Sequence, residues 1–279
     1  MKLTSILVPL DGTVQALSAL PVAQTLAGLA DATIHIVHVH ESPVPMHDLL
    51  SRLGVRSDEC GGCVVNQAIG TPEEQITAFA RERGSDLLVL CTHTAPHHPA
   101  GALGRTTRAV LASSACPVVL TRPDRGREPW PLRRVVLVQD GTPTSACAID
   151  AAATVALSGD VELVVVHVAA PRVAQATAPG TLTAPQYVDQ PQYEWPAWGR
   201  EFLDRLTALG HSPPSVRLRL VLAPGESGHD VVRVAREQHG DLLIVAWHGR
   251  LEGGHAAIVK TALREASCPV LVVRAPPEE

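Results

Sequence analysis

At 279 residues the chain exceeds the usual size of a single domain, so one or two domains are expected. Hydrophobic residues make up 46% but aromatics only 3%, so the core must be built from Val, Leu, Ile and Ala, which suits central strands covered on both faces by Ala/Leu helices. A net charge of −5 without a basic block argues against nucleic acid and anionic membranes as partners, and no stretch approaches the roughly 18 apolar residues of a membrane span.

Taken in chain order, apolar runs rich in Val, Ile and Leu predict strands at about 5–10, 33–39, 63–69, 86–91 and 117–121. Between the first two, Ala16, Leu17, Leu20, Ala23, Leu26 and Ala27 recur at three- and four-residue steps. Pro21 within that helical stripe either kinks the helix or delays its start. Thr71-Pro72 supplies a cap and a first helical residue for a helix from Glu73 to Arg83. The prolines, glycine and charges of 124–131 read as a linker. Five more strands follow at about 133–139, 161–168, 216–222, 241–246 and 269–274. An intervening segment near 170–196, rich in Ala, Pro, Thr and Gln and holding Tyr187 and Tyr193, reads as a long surface loop, with a helix resuming at about 198–209.

The chain is written twice. Ile6-Leu7-Val8-Pro9-Leu10-Asp11-Gly12-Thr13 returns as Val135-Val136-Leu137-Val138-Gln139-Asp140-Gly141-Thr142, and His38-Val39 as His167-Val168. Asp86 and its apolar run match Asp241 and its run, and Cys116-Pro117 matches Cys268-Pro269. Asp11 to Asp86 spans 75 positions and Asp140 to Asp241 spans 101, so the second copy carries 26 extra residues there. Strands alternating with helices imply a doubly wound parallel sheet in each copy. Ligands bind such sheets beyond the carboxyl ends of the strands, where chain order reverses. Asp11, Asp140 and the loops after Leu90 and Val245 mark those places.

The opening ILVPLDGT and the closing DLLVLCTHT…GRTTRAVLASSACPVVLTR, both repeated in the second copy, resemble the universal stress protein family. The resemblance implies two tandem α/β domains, 1–123 and 132–275. Each would be an open parallel sheet of five strands, adenine nucleotide alpha hydrolase-like, with the two paired inside the chain as a pseudo-dimer. It also implies a stress-linked regulatory role; a homodimer and an unidentified protein are the expected partners, and six scattered cysteines, with Cys91, Cys116 and Cys268 in or beside apolar runs, suit a reducing compartment, the cytoplasm. In nucleotide-binding members the first-strand Asp and second-strand backbone hold adenosine, and a loop of the form Gly-two residues-Gly-nine residues-Gly-Ser/Thr holds the phosphates on its N–H groups. Carried over, ATP is the implied cofactor. Pro9, Asp11 and Val39, with Asp140 and Val168 in the second copy, then form the adenosine side. Thr94, Gly104 and Arg105, with Gly249 in the second copy, form the phosphate side.

That loop departs from the family pattern. Its aligned positions in the first copy are Cys91, Thr94, Gly104 and Arg105, keeping one glycine and the full length. Side chains at Cys91 and Thr94 would crowd a phosphate, while Arg105 would offer it a charge-assisted contact. The second copy has Ala246, Gly249, Ala256 and Ala257 with three residues fewer, though Gly253 and Gly254 keep it glycine-rich. Two other readings therefore stand beside a nucleotide-binding regulator: a slow ATP hydrolase working near Asp11 and Gly104, and an interaction protein that binds no nucleotide.

Elsewhere the plainer readings lead. Cys60-Gly-Gly-Cys63 lacks a second ligand pair nearby and reads as a loop with two thiols before a redox pair or zinc site. His93, His97, His98, His248 and His255 read as loop residues facing solvent, and Trp195 and Trp198 as helix packing. Asp11 and Asp140 are expected to cap the helices that follow them. No Ser-His-Asp set, Walker loop or HExxH is visible, so no catalytic or metal-binding residue is assigned.

Overall fold

The computed structural model describes residues 2–42, 44–56, 59, 61–92, 103–140, 142–159, 161–169, 204, 218–225, 228–247, 249 and 255–275. The chain divides into two compact units, Met1–Pro131 and Leu132–Glu279.

In the first unit the strands are β1 (Ser5–Pro9), β2 (Thr33–His40), β3 (Val64–Ile69), β4 (Leu87–Cys91) and β5 (Val118–Thr121). The helices are α1 (Ala19–Ala30), α2 (Met46–Arg52), α3 (Pro72–Glu82) and α4 (Arg105–Ser113). All strand pairs are parallel, in the order β3-β2-β1-β4-β5. Chain order thus reverses between β1, which takes β2 on one side, and β4 on its other side. The strands are nearly continuous apolar runs because both faces are covered: Ile6, Leu7, Val8, Leu88 and Val89 are fully buried. Pro21 lies in the first turn of α1, where its missing N–H has no intrahelical partner to serve. A 3₁₀ turn, Ala16–Ser18, precedes it, so the proline delays the helix and does not kink it. Thr71 and Pro72 open α3 in the expected places, without a hydrogen bond from the threonine side chain.

The second unit repeats the plan. Its strands are β6 (Arg134–Val138), β7 (Glu162–Ala169), β8 (Leu218–Pro224), β9 (Leu242–Trp247) and β10 (Val270–Arg274). Its described helices are α5 (Pro143–Ala146), α6 (Ile149–Gly159), α7 (Gly228–Glu237) and α8 (His255–Glu265). Parallel pairing again gives β8-β7-β6-β9-β10. The expected loop at 170–196 and helix at 198–209 lie outside the described residues, apart from Asp204.

The repeated Asp86 and Asp241 serve the same structural task. One carboxylate oxygen of Asp86 accepts the N–H groups of Thr4 (2.7 Å) and Ser5 (3.0 Å) and the Thr4 hydroxyl (2.7 Å). Asp241 likewise accepts the N–H groups of Arg133 (2.8 Å) and Arg134 (2.9 Å). Each aspartate therefore gives the incoming first strand an acceptor where its ladder with the fourth strand begins.

The stretch expected to be a linker is held against the first unit. Pro123–Arg125 forms a 3₁₀ turn, Trp130 is buried, and its carbonyl accepts the Thr25 hydroxyl at 2.7 Å. Arg127 forks onto both carboxylate oxygens of Glu59. Among the described residues no helix is long and apolar enough to cross a membrane.

Candidate functional site

Both copies end their first strand in the same turn. The Asp11 carboxylate accepts the Thr13 N–H (2.9 Å) and hydroxyl (2.6 Å), and the Thr13 oxygen in turn accepts the Ala16 N–H at 3.3 Å. In the second copy Asp140 accepts the Thr142 N–H (2.9 Å) and hydroxyl (2.7 Å), and Thr142 accepts the Ser145 N–H at 3.1 Å. The expected cap is thus corrected in detail: the aspartate holds the threonine, and the threonine meets the helical turn. The geometric reason is reach, since an Asx turn closes on the residue two positions on. Both carboxylates remain exposed at the sheet edge.

A histidine from the second strand fixes the position just before each turn. His38 Nδ1 lies 2.8 Å from the Leu10 carbonyl and His167 Nδ1 lies 2.9 Å from the Gln139 carbonyl. A carbonyl only accepts, so Nδ1 carries the hydrogen in both rings. The N–H groups of Leu10 and Gln139 donate back to Val37 and Val166 at 2.9 Å each. Sequence reasoning passed over these residues, although the twice-written His-Val at the end of the second strand was their signal.

The two copies differ in how this corner is filled. Leu10 and Ala16, buried in the first unit, are replaced by Gln139 and Ser145, also buried. The new polar atoms satisfy each other: the Ser145 hydroxyl donates to Gln139 Oε1 and Gln139 Nε2 donates to the Ser145 carbonyl, both at 2.8 Å. Desolvation would raise the pKa of Asp140, but the nearby Ser145 hydroxyl, the hydrogen bonds from Thr142 and the nearby His167 hold it below the usual carboxylate value.

Burial lowers the pKa of His167, only partly opposed by its bond to Gln139 and by Asp140. The unfolded chain takes up this proton near pH 6.5, the fold only at lower pH. Stability from this group is therefore complete above about pH 6.5 and falls as pH drops below it. Asparagine at 167 can offer an amide N–H in place of Nδ1–H without titrating. His167→Asn is expected to flatten the loss of stability between about pH 7 and 5.5, read by urea unfolding. An unchanged slope would remove His167 from the pH response.

Pro9, Asp11 and half-buried Val39 lie together at the carboxyl edge of adjacent β1 and β2, as Asp140 and half-buried Val168 do at β6 and β7. Gly104 and Arg105 open α4, which begins at that same edge because it connects the carboxyl end of β4 to parallel β5. Thr94, with His93, His97 and His98, lies outside the described residues, as do Cys60, His248, Trp195 and Trp198. Cys91 closes β4, and the loop it was expected to crowd lies outside the described residues. The cysteine is buried beside the Ser18 and Thr121 hydroxyls, and burial pushes its thiol pKa up. Gly104 sits at φ −58, open to any residue. Arg105 is already engaged, its Nε 3.4 Å from Glu73 Oε1.

In the second unit Ala256 and Ala257 fall inside α8, and Trp247, at the place of Thr92, is buried. Gly249 has φ +82, a backbone conformation that calls for glycine, and a Cβ there would lie 3.0 Å from the movable guanidinium of exposed Arg274. Among the described residues no three His, Cys, Asp or Glu side chains are grouped to hold a metal.

Two parallel sheets, each reversing chain order beside an Asp-Gly-Thr turn, define a tandem α/β protein with two related strand-end sites. The sequence matches the universal stress protein family over residues 61–122 and 131–274, and the chain belongs to that family. No curated protein matches it significantly. Among solved structures it is similar to a universal stress protein from Archaeoglobus fulgidus DSM 4304, at 14% identity and TM-score 0.66, covering 97% of this chain and 98% of that one. A functionally unknown protein from Pseudomonas aeruginosa PAO1 is similar at 19% identity and TM-score 0.65, covering 98% and 93%. At these identities the likeness concerns the fold.

Proposed function

We propose that this chain is a non-catalytic regulatory module of the stress response that takes the adenosine part of an adenine nucleotide at the carboxyl edge of its first unit. It acts in the cytoplasm through a protein partner. Family membership supports the regulatory part of this reading. One observation carries the ligand: at the β1/β4 reversal an exposed carboxylate, Asp11, is oriented by two hydrogen bonds from Thr13, on a strand end pinned by His38. Such a carboxylate is a fixed acceptor for hydroxyl or amino donors of a nucleoside.

Calorimetric titration of the full chain with adenosine, AMP and ATP tests the reading. At least one should bind saturably, with affinity at least about ten-fold weaker in Asp11→Ala, a loss of about 1.4 kcal/mol. No phosphate should be released over hours. Silence with all three ligands, or undiminished binding by Asp11→Ala, would refute it. ATP turnover abolished in Asp11→Ala would favour a hydrolase instead.

A further inference from the structure

We infer that Glu73 makes the first-unit cleft select an uncharged nucleoside over its phosphorylated forms, an inference that rests on the proposal that this cleft takes adenosine. Glu73 is the second residue of α3, which follows the carboxyl end of β3. Its side chain is only 17% exposed, with Oε1 3.4 Å from Arg105 Nε, and Oε2 is buried without a hydrogen-bond partner. Arg105 is the first residue of α4, the helix on whose amino end a phosphate group would be received.

The second copy shows where this position faces. Glu73 lies 13 positions before Asp86, and its counterpart, Gly228, lies 13 before Asp241. A Cβ on Gly228 would meet Thr261 Cβ at 2.8 Å and Ile258 Cα at 3.1 Å, the seventh and fourth of the eleven residues of α8. The same position in the first copy also faces the helix that follows the fourth strand, and its longer side chain reaches Arg105 at the start of α4. There it meets the positive end of the helix dipole and neutralises Arg105. A ligand phosphate placed at that helix end would lie beside a like charge that is largely shielded from solvent and so weakly screened. On the adenosine side the acceptor is Asp11; at the phosphate side Arg105 is the basic candidate, and Glu73, which does not face the adenosine side, offsets it. Ribose hydroxyls are donors that suit carboxylate acceptors, whereas phosphate oxygens are acceptors that do not.

Titration of the full chain with adenosine and with ATP, each with and without magnesium, tests this against the isosteric variant Glu73→Gln. The wild type should bind adenosine at least about ten-fold more tightly than ATP. Glu73→Gln should tighten ATP binding by about ten-fold and leave adenosine within about two-fold. ATP bound as tightly as adenosine by the wild type would overturn the inference while leaving the cleft in place. So would weaker ATP binding by Glu73→Gln, the result expected if the carboxylate held magnesium. If neither ligand binds either protein, or if binding survives Asp11→Ala, the cleft proposal fails and the inference with it.

Discussion

Trp247→Ala is expected to destabilise the second unit by about 3–5 kcal/mol, the range for truncating a buried large aromatic. Its counterpart Thr92→Ala should cost the first unit only about 1–2 kcal/mol, the scale of one buried hydrogen bond. Trp247 is the largest of the fully buried side chains among the described residues and closes β9, where its carbonyl accepts the Ala275 N–H at 2.7 Å. Thr92 instead donates its hydroxyl to the Thr121 carbonyl at 3.0 Å. The two copies therefore finish the same strand with different side chains, a large buried indole in one and a small hydrogen-bonded hydroxyl in the other. Urea unfolding of both variants checks this, and equal losses would contradict it.

Gly228 gives the second large effect. A methyl group there would sit 2.8 Å from Thr261 Cβ and 3.1 Å from Ile258 Cα, atoms that cannot yield without moving α8. Alanine gains up to about 1 kcal/mol of helix propensity over glycine. Overpacking of about 1–3 kcal/mol opposes that gain. Gly228→Ala is thus expected to cost about 1–2 kcal/mol net, and Gly228→Glu about 3 kcal/mol or more, since it forces the first copy's side chain into a closed helix crossing. A thermal midpoint unchanged in Gly228→Glu would show that the helices separate freely.

Much of this architecture could be read from the residues. Runs such as Ile6-Leu7-Val8 and Leu242-Leu243-Ile244 are buried on both faces, so hydrophobicity alone located strands to within two residues of their observed ends. The duplicated Asp86 and Asp241 were plain as landmarks, but their task was not. It depends on backbone N–H groups at Thr4 and Arg133, more than eighty positions away in sequence. The site was legible in part for the same reason. Asp11 and Asp140 announce themselves locally through Asp-Gly-Thr. The pinning by His38 and His167 and the approach of Glu73 to Arg105 join separate strands and helices. Glu73 was also camouflaged, because an acidic residue in the first turn of a helix is ordinarily explained by the helix dipole alone. Pro21 left two outcomes open, and the 3₁₀ turn at Ala16–Ser18, which puts the proline in the first turn of α1, decided between them.

The segment after β5 bears on how the protein can be cut. Arg125 stacks its guanidinium 6.0 Å over the Trp130 ring, and Arg127 is tethered to Glu59. A cut at the end of the repeat, near Arg122, would strip the first unit of buried Trp130 and of its bond to Thr25. Severing the chain after Pro131 keeps the indole in its seat and both tethers intact, so the natural seam between the duplicated halves falls later than the duplication itself.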